Sequence, residues 1–165
     1  MDLEDLVNKV KEKLPEAVLG TARFRGETTL QIRPEDILPV CRFLRDEPSC
    51  AFDYLVDLCG ADHLPQEPRF EVVYHLRSLK TKDLLRLKVS LPGSAPRISS
   101  VFSVWKAADW MEREAFDMFG IAFEGHPDLR RILLTPEWEG HPLRKDYPLR
   151  GKEETEYPAE GRTTF

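Results

Sequence analysis

Leu85-Arg86-Leu87-Lys88-Val89-Ser90-Leu91 alternates apolar and polar residues without a break, which makes it the clearest structural signal in the chain. A period of two places the apolar side chains on one face of a β-strand and the polar ones on the other. Residues 70–76 alternate in the same way except at Val73. Residues 78–83 form a turn between the two runs, so together they predict a β-hairpin with one buried face.

The chain on either side of this hairpin predicts three further strands and three helices. The strands follow from short apolar runs, and the helices from apolar residues at a spacing of three and four. The predicted strands are residues 18–24, 28–33 and 52–59, and the predicted helices are residues 2–14, 34–44 and 107–119. Gly120 follows the last helix at the position where glycine commonly ends one.

The resulting element order, α-β-β-α-β-β-β-α, predicts an α+β fold because it lacks regular βαβ alternation. We expect a two-layer sandwich in which helices cover one face of a mixed, mostly antiparallel sheet of about five strands. The periodicity ends near Phe123, so residues 1–124 are the predicted core domain.

Residues 125–165 are predicted to be an extended C-terminal arm and tail. Repeated prolines there exclude a long helix or a central strand, yet the segment is too apolar for a solvated linker. It therefore either folds back on its own domain or docks on another chain.

Composition excludes several classes of function. The chain has 165 residues, 24 Lys and Arg against 29 Asp and Glu, and a net charge of −5. A duplex-binding domain usually needs a basic surface, so nucleic acid is not an expected partner. Charge-free runs such as residues 98–105 are far shorter than a membrane span, and the acidic N-terminus does not resemble a secretory signal. We expect the chain to stay in the cytoplasm or in a compartment derived from it.

The cysteines and histidines do not predict a metal site. Cys41, Cys50 and Cys59 are odd in number and contain no CxxC pair, so they are predicted to be reduced, buried apolar residues. No two of the four histidines are three or four residues apart, and no HExxH motif occurs.

The predicted helix 107–119 carries a cluster of carboxylates. Glu114 falls within an apolar stripe that includes Trp110 and Met118, so it needs a buried partner. Arg130 and Arg131 are the best local candidates for that partner. The other charges are placed to pair along the helix, because Arg113 lies four residues from both Asp109 and Asp117.

These carboxylates allow two interpretations. Glu112, Glu114 and Asp117 could act as general acids and bases in a stand-alone hydrolase. They could instead form an ion-pair network that fixes the helix against the following loop. The network is favoured, because no nucleophile motif or metal-ligand spacing accompanies them.

Two blocks around and after this helix resemble the 30 kDa subunit of respiratory NADH:quinone oxidoreductase, which is the C-type subunit of bacterial complex I and the J-type subunit of the plastid and cyanobacterial form. The first block is Glu112-Arg113-Glu114-Ala115-Phe116-Asp117-Met118-Phe119-Gly120, followed by His126 and Arg130-Arg131. The second is Gly140-His141-Pro142-Leu143-Arg144-Lys145-Asp146-Tyr147-Pro148-Leu149. They occur in order and at the expected separation.

The resemblance implies a non-catalytic assembly subunit in the peripheral arm of a proton-translocating enzyme. Its partners would be the large hydrogenase-like subunit, which is of the D type, and the iron–sulfur subunits. FMN, iron–sulfur clusters and quinone would bind to those partners, with no cofactor or metal in this chain. The complex would lie on the cytoplasmic side of the inner membrane. An equivalent subunit occurs in related membrane-bound hydrogenases and in dehydrogenases that use other electron donors.

The candidate residues fall into two sets. The signature residues with an expected structural role are Glu112, Arg113, Glu114, Asp117, Gly120, His126, Arg130 and Arg131. Arginine and aromatic residues together are typical of interface anchors, so the arm supplies the second set. The expected partner-docking residues are Trp138, His141, Arg144, Lys145, Asp146 and Tyr147.

Overall fold

The computed structural model of the protein describes residues 3–150. It contains three α-helices and seven strands within that range, in an α+β arrangement. The helices are α1 (Leu3–Lys13), α2 (Ile37–Asp46) and α3 (Ala108–Phe119), and a 3-10 turn at Pro34–Asp36 precedes α2. The strands are β1 (Val18–Phe24), β2 (Glu27–Ile32), β3 (Tyr54–Asp62), β4 (Phe70–Arg77), β5 (Leu84–Leu91), β6 (Arg97–Ser99) and β7 (Ala122–Glu124).

Five strands form the main sheet in the order β1-β2-β5-β4-β3. Every neighbouring pair is antiparallel except β2 and β5, which run parallel. The parallel pair arises because the chain crosses over through α2 and the β3-β4 hairpin before it returns beside β2. This confirms the mixed, mostly antiparallel sheet predicted from the sequence.

One face of this sheet forms the core. Along β4 and β5 buried residues alternate with half-buried ones, as the period of two predicts. Val72 lies opposite Val89, and Leu87 lies between Tyr74 and Leu30 in the register of three adjacent strands. All five side chains are fully buried, and burying one such large apolar side chain contributes about 1.5–3 kcal/mol to stability.

Strand β3 differs from the prediction of a largely buried strand over residues 52–59. It is a sheet edge with one face open, and Tyr54 and Val56 are exposed. Cys59 lies on that open face, so the prediction that all three cysteines are buried is wrong for Cys59. Cys41 and Cys50 are buried in the core, where burial raises the pKa of both thiols.

Strands β6 and β7 were not predicted. They pair in parallel, with Ile98 opposite Phe123. Because β6 precedes α3 in the chain and β7 follows it, the three elements form a small β-α-β unit. At three residues each, they are too short to show a periodic pattern.

The irregular segment after β7 lies against the body of the protein. Residues 125–150 contain no helix or strand, yet Leu129 and Leu134 pack against the hydrophobic core. Of the two alternatives for the arm, folding back on its own domain therefore applies to these residues. Residues 151–165, which include the predicted tail, lie outside the described residues. No helix in the described range is long and apolar enough to cross a membrane.

Candidate functional site: the junction of helix α3 and the C-terminal arm

Helix α3 buries a stripe that only partly overlaps the predicted one, since Met118 is buried as expected but Trp110 and Glu114 are not. Ala108, Glu112 and Ala115 face the core, whereas Trp110 is 66% exposed and Glu114 is also exposed. The expectation that Glu114 is the carboxylate buried in the apolar stripe is therefore wrong. The helix is rotated about its axis relative to that prediction, and the buried carboxylates are Glu112 and Asp117.

Glu112 holds the chain that follows β6. Its carboxylate accepts a hydrogen bond from the Ser100 hydroxyl at 2.6 Å and one from the Val101 backbone N–H at 2.7 Å. Burial raises the pKa of Glu112 to about 7, and the nearby Asp109 adds to this, although the two hydrogen bonds act in the opposite direction. Near neutral pH this carboxyl group is thus divided between its neutral and charged forms.

His126 fixes the chain that follows β7 to the start of α3. Its side chain is fully buried, and Nε2 lies 3.1 Å from the carbonyl oxygen of Asp109 and 4.0 Å from the Glu112 carboxylate. The Asp128 N–H donates to Nδ1 at 3.0 Å. Since a carbonyl can only accept, the ring carries its hydrogen on Nε2.

Asp117 is the residue on which the arm is anchored. Its Oδ2 accepts hydrogen bonds from the backbone N–H groups of three consecutive arm residues at 2.8–3.0 Å, namely Ile132, Leu133 and Leu134. Its Oδ1 accepts from Arg131 at 2.6 Å. Burial acts to raise the pKa of Asp117, but these hydrogen bonds outweigh it and lower the pKa.

Arg131 ties this carboxylate to a later part of the arm. Beyond Asp117, its guanidinium donates to the carbonyl oxygens of Trp138 at 2.9 Å and Gly140 at 3.0 Å. Arg131 therefore pairs with a buried acid, as expected, but the acid is Asp117 and not Glu114. Arg130 is exposed and pairs with Asp128 at 2.9 Å.

The last carbonyl groups of α3 all have partners. A helix leaves its final carbonyls without intrahelical hydrogen bonds. Here the Phe116 carbonyl accepts from Gly120 N–H at 2.7 Å. Three arm groups serve the next three carbonyls: His141 Nδ1 binds Asp117 O at 2.9 Å, Leu143 N binds Met118 O at 3.1 Å, and Arg144 Nε binds Phe119 O at 2.6 Å.

Gly120 is required at this junction for two reasons. Its φ is +73°, a conformation that residues with a side chain rarely adopt. A Cβ there would also lie 2.5 Å from an Arg144 nitrogen and 2.6 Å from His141 Nε2. We call the group Asp117, Gly120, Arg131, His141 and Arg144 the α3 clasp.

A second contact holds the arm to the end of the sheet at which β3 ends and β4 begins. Arg69 binds Asp62 and Asp146, each at 2.7 Å, and Asp62 also accepts a hydrogen bond from Lys145 N at 2.8 Å. The Arg69 hydrogen bond holds the pKa of Asp62 well below its usual range. We call the trio Asp62, Arg69 and Asp146 the sheet clasp.

Arg113 does not bridge Asp109 and Asp117 as predicted. It donates instead to the carbonyl oxygens of Arg130 and Arg131, both at 3.1 Å. The sequence spacing allowed the ion pairs, but the arm passes close enough to use the guanidinium for its own backbone.

The six expected docking residues have different positions in the arm. His141 and Arg144 belong to the α3 clasp and Asp146 to the sheet clasp. Trp138 and Tyr147 are half-buried, and only Lys145 has an exposed side chain without a partner among the described residues. The predicted docking set contains no leucine, although Leu133, Leu143 and Leu149 are exposed on the arm. Their apolar character alone did not distinguish surface from core.

The arrangement does not favour the hydrolase interpretation. Glu112 and Asp117 are both fully buried and bonded to separate segments, while Glu114 is exposed. Three carboxylates so placed do not converge on a substrate cleft. In the part of the chain that the structure describes, no group of three or more His, Cys, Asp and Glu side chains could hold a metal ion.

The fold and the two clasps define a class of protein, an α+β domain that carries an irregular C-terminal arm on one helix end and one sheet end. The family model for the respiratory-chain NADH dehydrogenase 30 Kd subunit matches residues 30–153. The chain belongs to this family and is a subunit of the NADH-quinone oxidoreductase, or complex I, type.

Relatives and solved structures agree with this assignment. The C-type subunit of the NADH-quinone oxidoreductase of Roseiflexus sp. (strain RS-1) is 49% identical over 153 residues, covering 93% of this chain and 88% of that protein. The equivalent Geobacter sulfurreducens protein is 47% identical, covering 92% and 93%.

Two solved structures share the fold. The trypsin-resistant fragment (1-134) of Nqo5 is 30% identical with a TM-score of 0.65, and the match covers 78% of this chain and all of that one. A chain of the membrane-bound sulfane sulfur reductase, an archaeal respiratory membrane complex, is 26% identical with a TM-score of 0.72. That match covers 88% of this chain and 85% of the other.

Proposed function

We propose that this chain is a non-catalytic assembly subunit in the peripheral arm of a proton-translocating NADH:quinone oxidoreductase. It binds the large hydrogenase-like subunit and its iron–sulfur neighbours and holds them at fixed distances for electron transfer. FMN, the iron–sulfur clusters and quinone are bound by those partners. The complex lies on the cytoplasmic side of the inner membrane, with this chain at its periphery.

The observation that carries this proposal is the clasped arm with its outward-facing apolar side chains. The α3 clasp uses buried charges and backbone bonds to fix an otherwise irregular segment. Leu133 and Leu143 are 63% and 55% exposed on that segment, and Leu149 is fully exposed. Apolar side chains on a segment whose backbone is already fixed support a protein interface, since the backbone entropy of ordering that segment is lost before binding.

A related complex with another electron donor is the second candidate. The likeness to a chain of the archaeal sulfane sulfur reductase complex supports it, because that structure shares the fold over most of its length. In that case the same surfaces would bind an equivalent large subunit. The donor is then decided by which other subunits assemble with this chain.

Capture by the large subunit tests the proposal. Leu143→Ser alters an arm side chain that is 55% exposed and keeps the backbone N–H that donates to Met118 O at the end of α3. Leu79→Ser is the matched control, because Leu79 is 52% exposed in the β4-β5 turn, away from the arm. We expect Leu143→Ser to weaken capture about tenfold, or ~1.4 kcal/mol, with unchanged melting. Equal capture of both variants, or turnover of a substrate by the isolated chain, would contradict the proposal.

A further inference from the structure

Strand β1 forms an open edge of the main sheet, away from both clasps. Among the residues that the structure describes, β1 pairs with β2 alone. An edge strand presents a row of backbone N–H and C=O groups that can pair with another strand. The question is which of these groups point outward and what could cover them.

The turn between β1 and β2 sets the pattern of hydrogen bonds. Arg25 and Gly26 form a two-residue turn with φ values of 51° and 83°, as in a type I′ hairpin. In such a hairpin the flanking residues, Phe24 and Glu27, exchange both of their backbone hydrogen bonds. Bonded and non-bonded pairs then alternate along the ladder.

The register identifies the outward groups. Ala22 lies opposite Thr29 and is two residues from the bonded pair, so its backbone groups bond to β2. Thr21 and Arg23 occupy the alternate positions, and their N–H and C=O groups point away from the sheet. The irregularity in the ladder lies between Val18 and Gly20 and does not affect these positions.

Apart from the irregularity between Val18 and Gly20, the edge lacks the usual protection against pairing. Natural edge strands are commonly blocked by lysines, prolines or a covering element. Five of the seven residues of β1 are exposed, including Leu19 at 62% and Phe24 at 69%. The run Leu19-Gly20-Thr21-Ala22 contains no charge and no proline.

The charge beside this edge is cationic and unpaired. Arg23 and Arg25 are exposed, and within residues 3–150 no carboxylate lies at ion-pair distance from either. The nearby Glu27 is already paired with Arg86. Arg25 lies over the Phe24 ring, 5.2 Å from its centroid, but neither arginine has a carboxylate partner in the described range. On a chain of net charge −5, these two cations favour an acidic occupant at this end of the strand.

We propose that β1 is a docking edge that accepts an extended strand from a partner subunit of the same complex. The incoming strand is uncharged where it lies opposite the Leu19–Ala22 run of β1, and it carries carboxylates opposite Arg23 and Arg25. Main-chain hydrogen bonds supply affinity in this mode of recognition, and the ion pairs set the register. The inference rests on the proposed function, because the strand comes from the assembled complex.

A second copy of this chain fits the edge less well. Two β1 strands paired antiparallel about Thr21 would set Arg23 opposite Leu19 and leave the arginines without carboxylates. Self-pairing is therefore an outcome of the test and not the proposal.

Residue-resolved hydrogen exchange in the isolated chain and in the purified complex tests the proposal. The Thr21 and Arg23 amides should exchange freely in the isolated chain and gain at least about tenfold protection in the complex. The Ala22 and Phe24 amides should be protected in both. Unchanged exchange of Thr21 and Arg23 in a complex that contains the chain would overturn this inference alone. Absence of the chain from the complex would overturn the proposed function as well.

The isolated chain supplies a further outcome. If Thr21 and Arg23 are already protected there, the edge is covered by a second copy or by another part of the chain, and the proposal is wrong. Measurement at two protein concentrations then identifies self-pairing.

A proline variant tests the edge by a second route. Thr21→Pro removes an outward N–H without removing a β1-β2 hydrogen bond, a placement that edge strands tolerate. Thr21→Ala is the matched control. We expect Thr21→Pro to be retained in the complex at least about tenfold less tightly than Thr21→Ala. Equal retention would overturn the proposal, and if Thr21→Pro failed to fold, the exchange measurement would decide alone.

Discussion

Two buried carboxylates on α3, five residues apart, have pKa values shifted in opposite directions. Glu112 receives two hydrogen bonds from neutral groups, and burial dominates, so its pKa rises. Asp117 receives three backbone N–H bonds and a guanidinium, and its pKa falls although burial opposes this. The number and charge of donors therefore decide which acid is charged inside the protein.

The raised pKa of Glu112 predicts a pH dependence of stability. Between its ordinary value of 4.5 and about 7, the folded chain keeps this proton while the unfolded chain has lost it. The free energy of unfolding therefore falls as pH rises across that interval and levels off above it. In Glu112→Gln this contribution is absent, so the difference in stability between about pH 5 and about pH 8 should shrink by on the order of 2 kcal/mol.

Urea unfolding at the two pH values measures this effect. Glu114→Gln is the control, because Glu114 is exposed and its removal should change stability by less than about 0.5 kcal/mol at either pH. A Glu112→Gln variant with the pH dependence of the wild type would show that Glu112 is charged throughout.

Gly120 can be compared with a glycine in a similar conformation. Gly125 also has a positive φ, +84°, but a Cβ there would meet nothing within 4 Å. Gly125→Ala should therefore lower the free energy of unfolding through backbone strain alone, by about 1 kcal/mol. Gly120→Ala also displaces Arg144 and His141 and should lower it by about 2–4 kcal/mol. Thermal unfolding of both variants checks this. Equal losses would mean that the arm does not press against Gly120.

At the scale of elements, α3 and the arm stabilise each other. The arm supplies donors to the last carbonyls of the helix, and the helix supplies Asp117 as an acceptor for three arm N–H groups. Cationic groups at a helix C-terminus are also favoured by its dipole, as with Arg131 and Arg144. The irregular arm is therefore ordered without forming secondary structure of its own.

Adjacent arginines in the arm predict unequal effects. Arg131→Ala leaves Asp117 buried without its cation and removes donors to Trp138 and Gly140, so it should destabilise by about 3–5 kcal/mol. Arg130→Ala removes an exposed pair and should cost less than about 1 kcal/mol. Limited proteolysis should then cleave the arm faster in the Arg131 variant alone. Similar cleavage of both variants would contradict the role of the clasp.

The sequence predicts the elements better than it predicts their faces. Strands β4 and β5 were predictable because each buries one face and alternates strictly. The buried face of α3 was not predictable, since Trp110 is apolar but exposed and Glu112 has an ionisable side chain but is buried. These two residues shift the apolar stripe of the sequence by a fraction of a turn from the face that is buried. Cys59 was misplaced for a similar reason, because the open face of an edge strand tolerates apolar residues. The partners of the Asp117 carboxylate lie fourteen to seventeen residues away in an irregular segment, where no periodicity indicates contact.

At the scale of the whole molecule, the described residues form a folded body and an irregular arm that packs against it. The sheet and helices provide the core, and the two clasps fix residues 125–150 against its ends. Most of the residues predicted to have a structural role make contacts within the chain. The surfaces that we propose for partners are the exposed side chains of the arm and the open edge β1.

The purified chain is predicted to be colourless and redox-silent. Its three dispersed cysteines do not match any cluster-binding spacing, and no dinucleotide-binding motif follows a strand. Reconstitution with iron and sulfide should give no visible absorbance. A stable spectrum with about four irons per chain, the content of a cubane cluster, would contradict the proposal that partners hold all cofactors.

The affinity of the isolated chain for the purified large subunit tests the central claim, that the α3 clasp presents the arm for docking. Calorimetric titration compares the affinities of the wild type, Gly120→Ala and Gly125→Ala. Both substitutions strain a backbone of positive φ, but only Gly120→Ala also displaces arm residues and loosens the arm. We expect Gly125→Ala to bind like the wild type and Gly120→Ala, still folded, to bind at least about tenfold more weakly. Wild-type affinity in a Gly120→Ala chain whose arm is shown by proteolysis to be loose would contradict it.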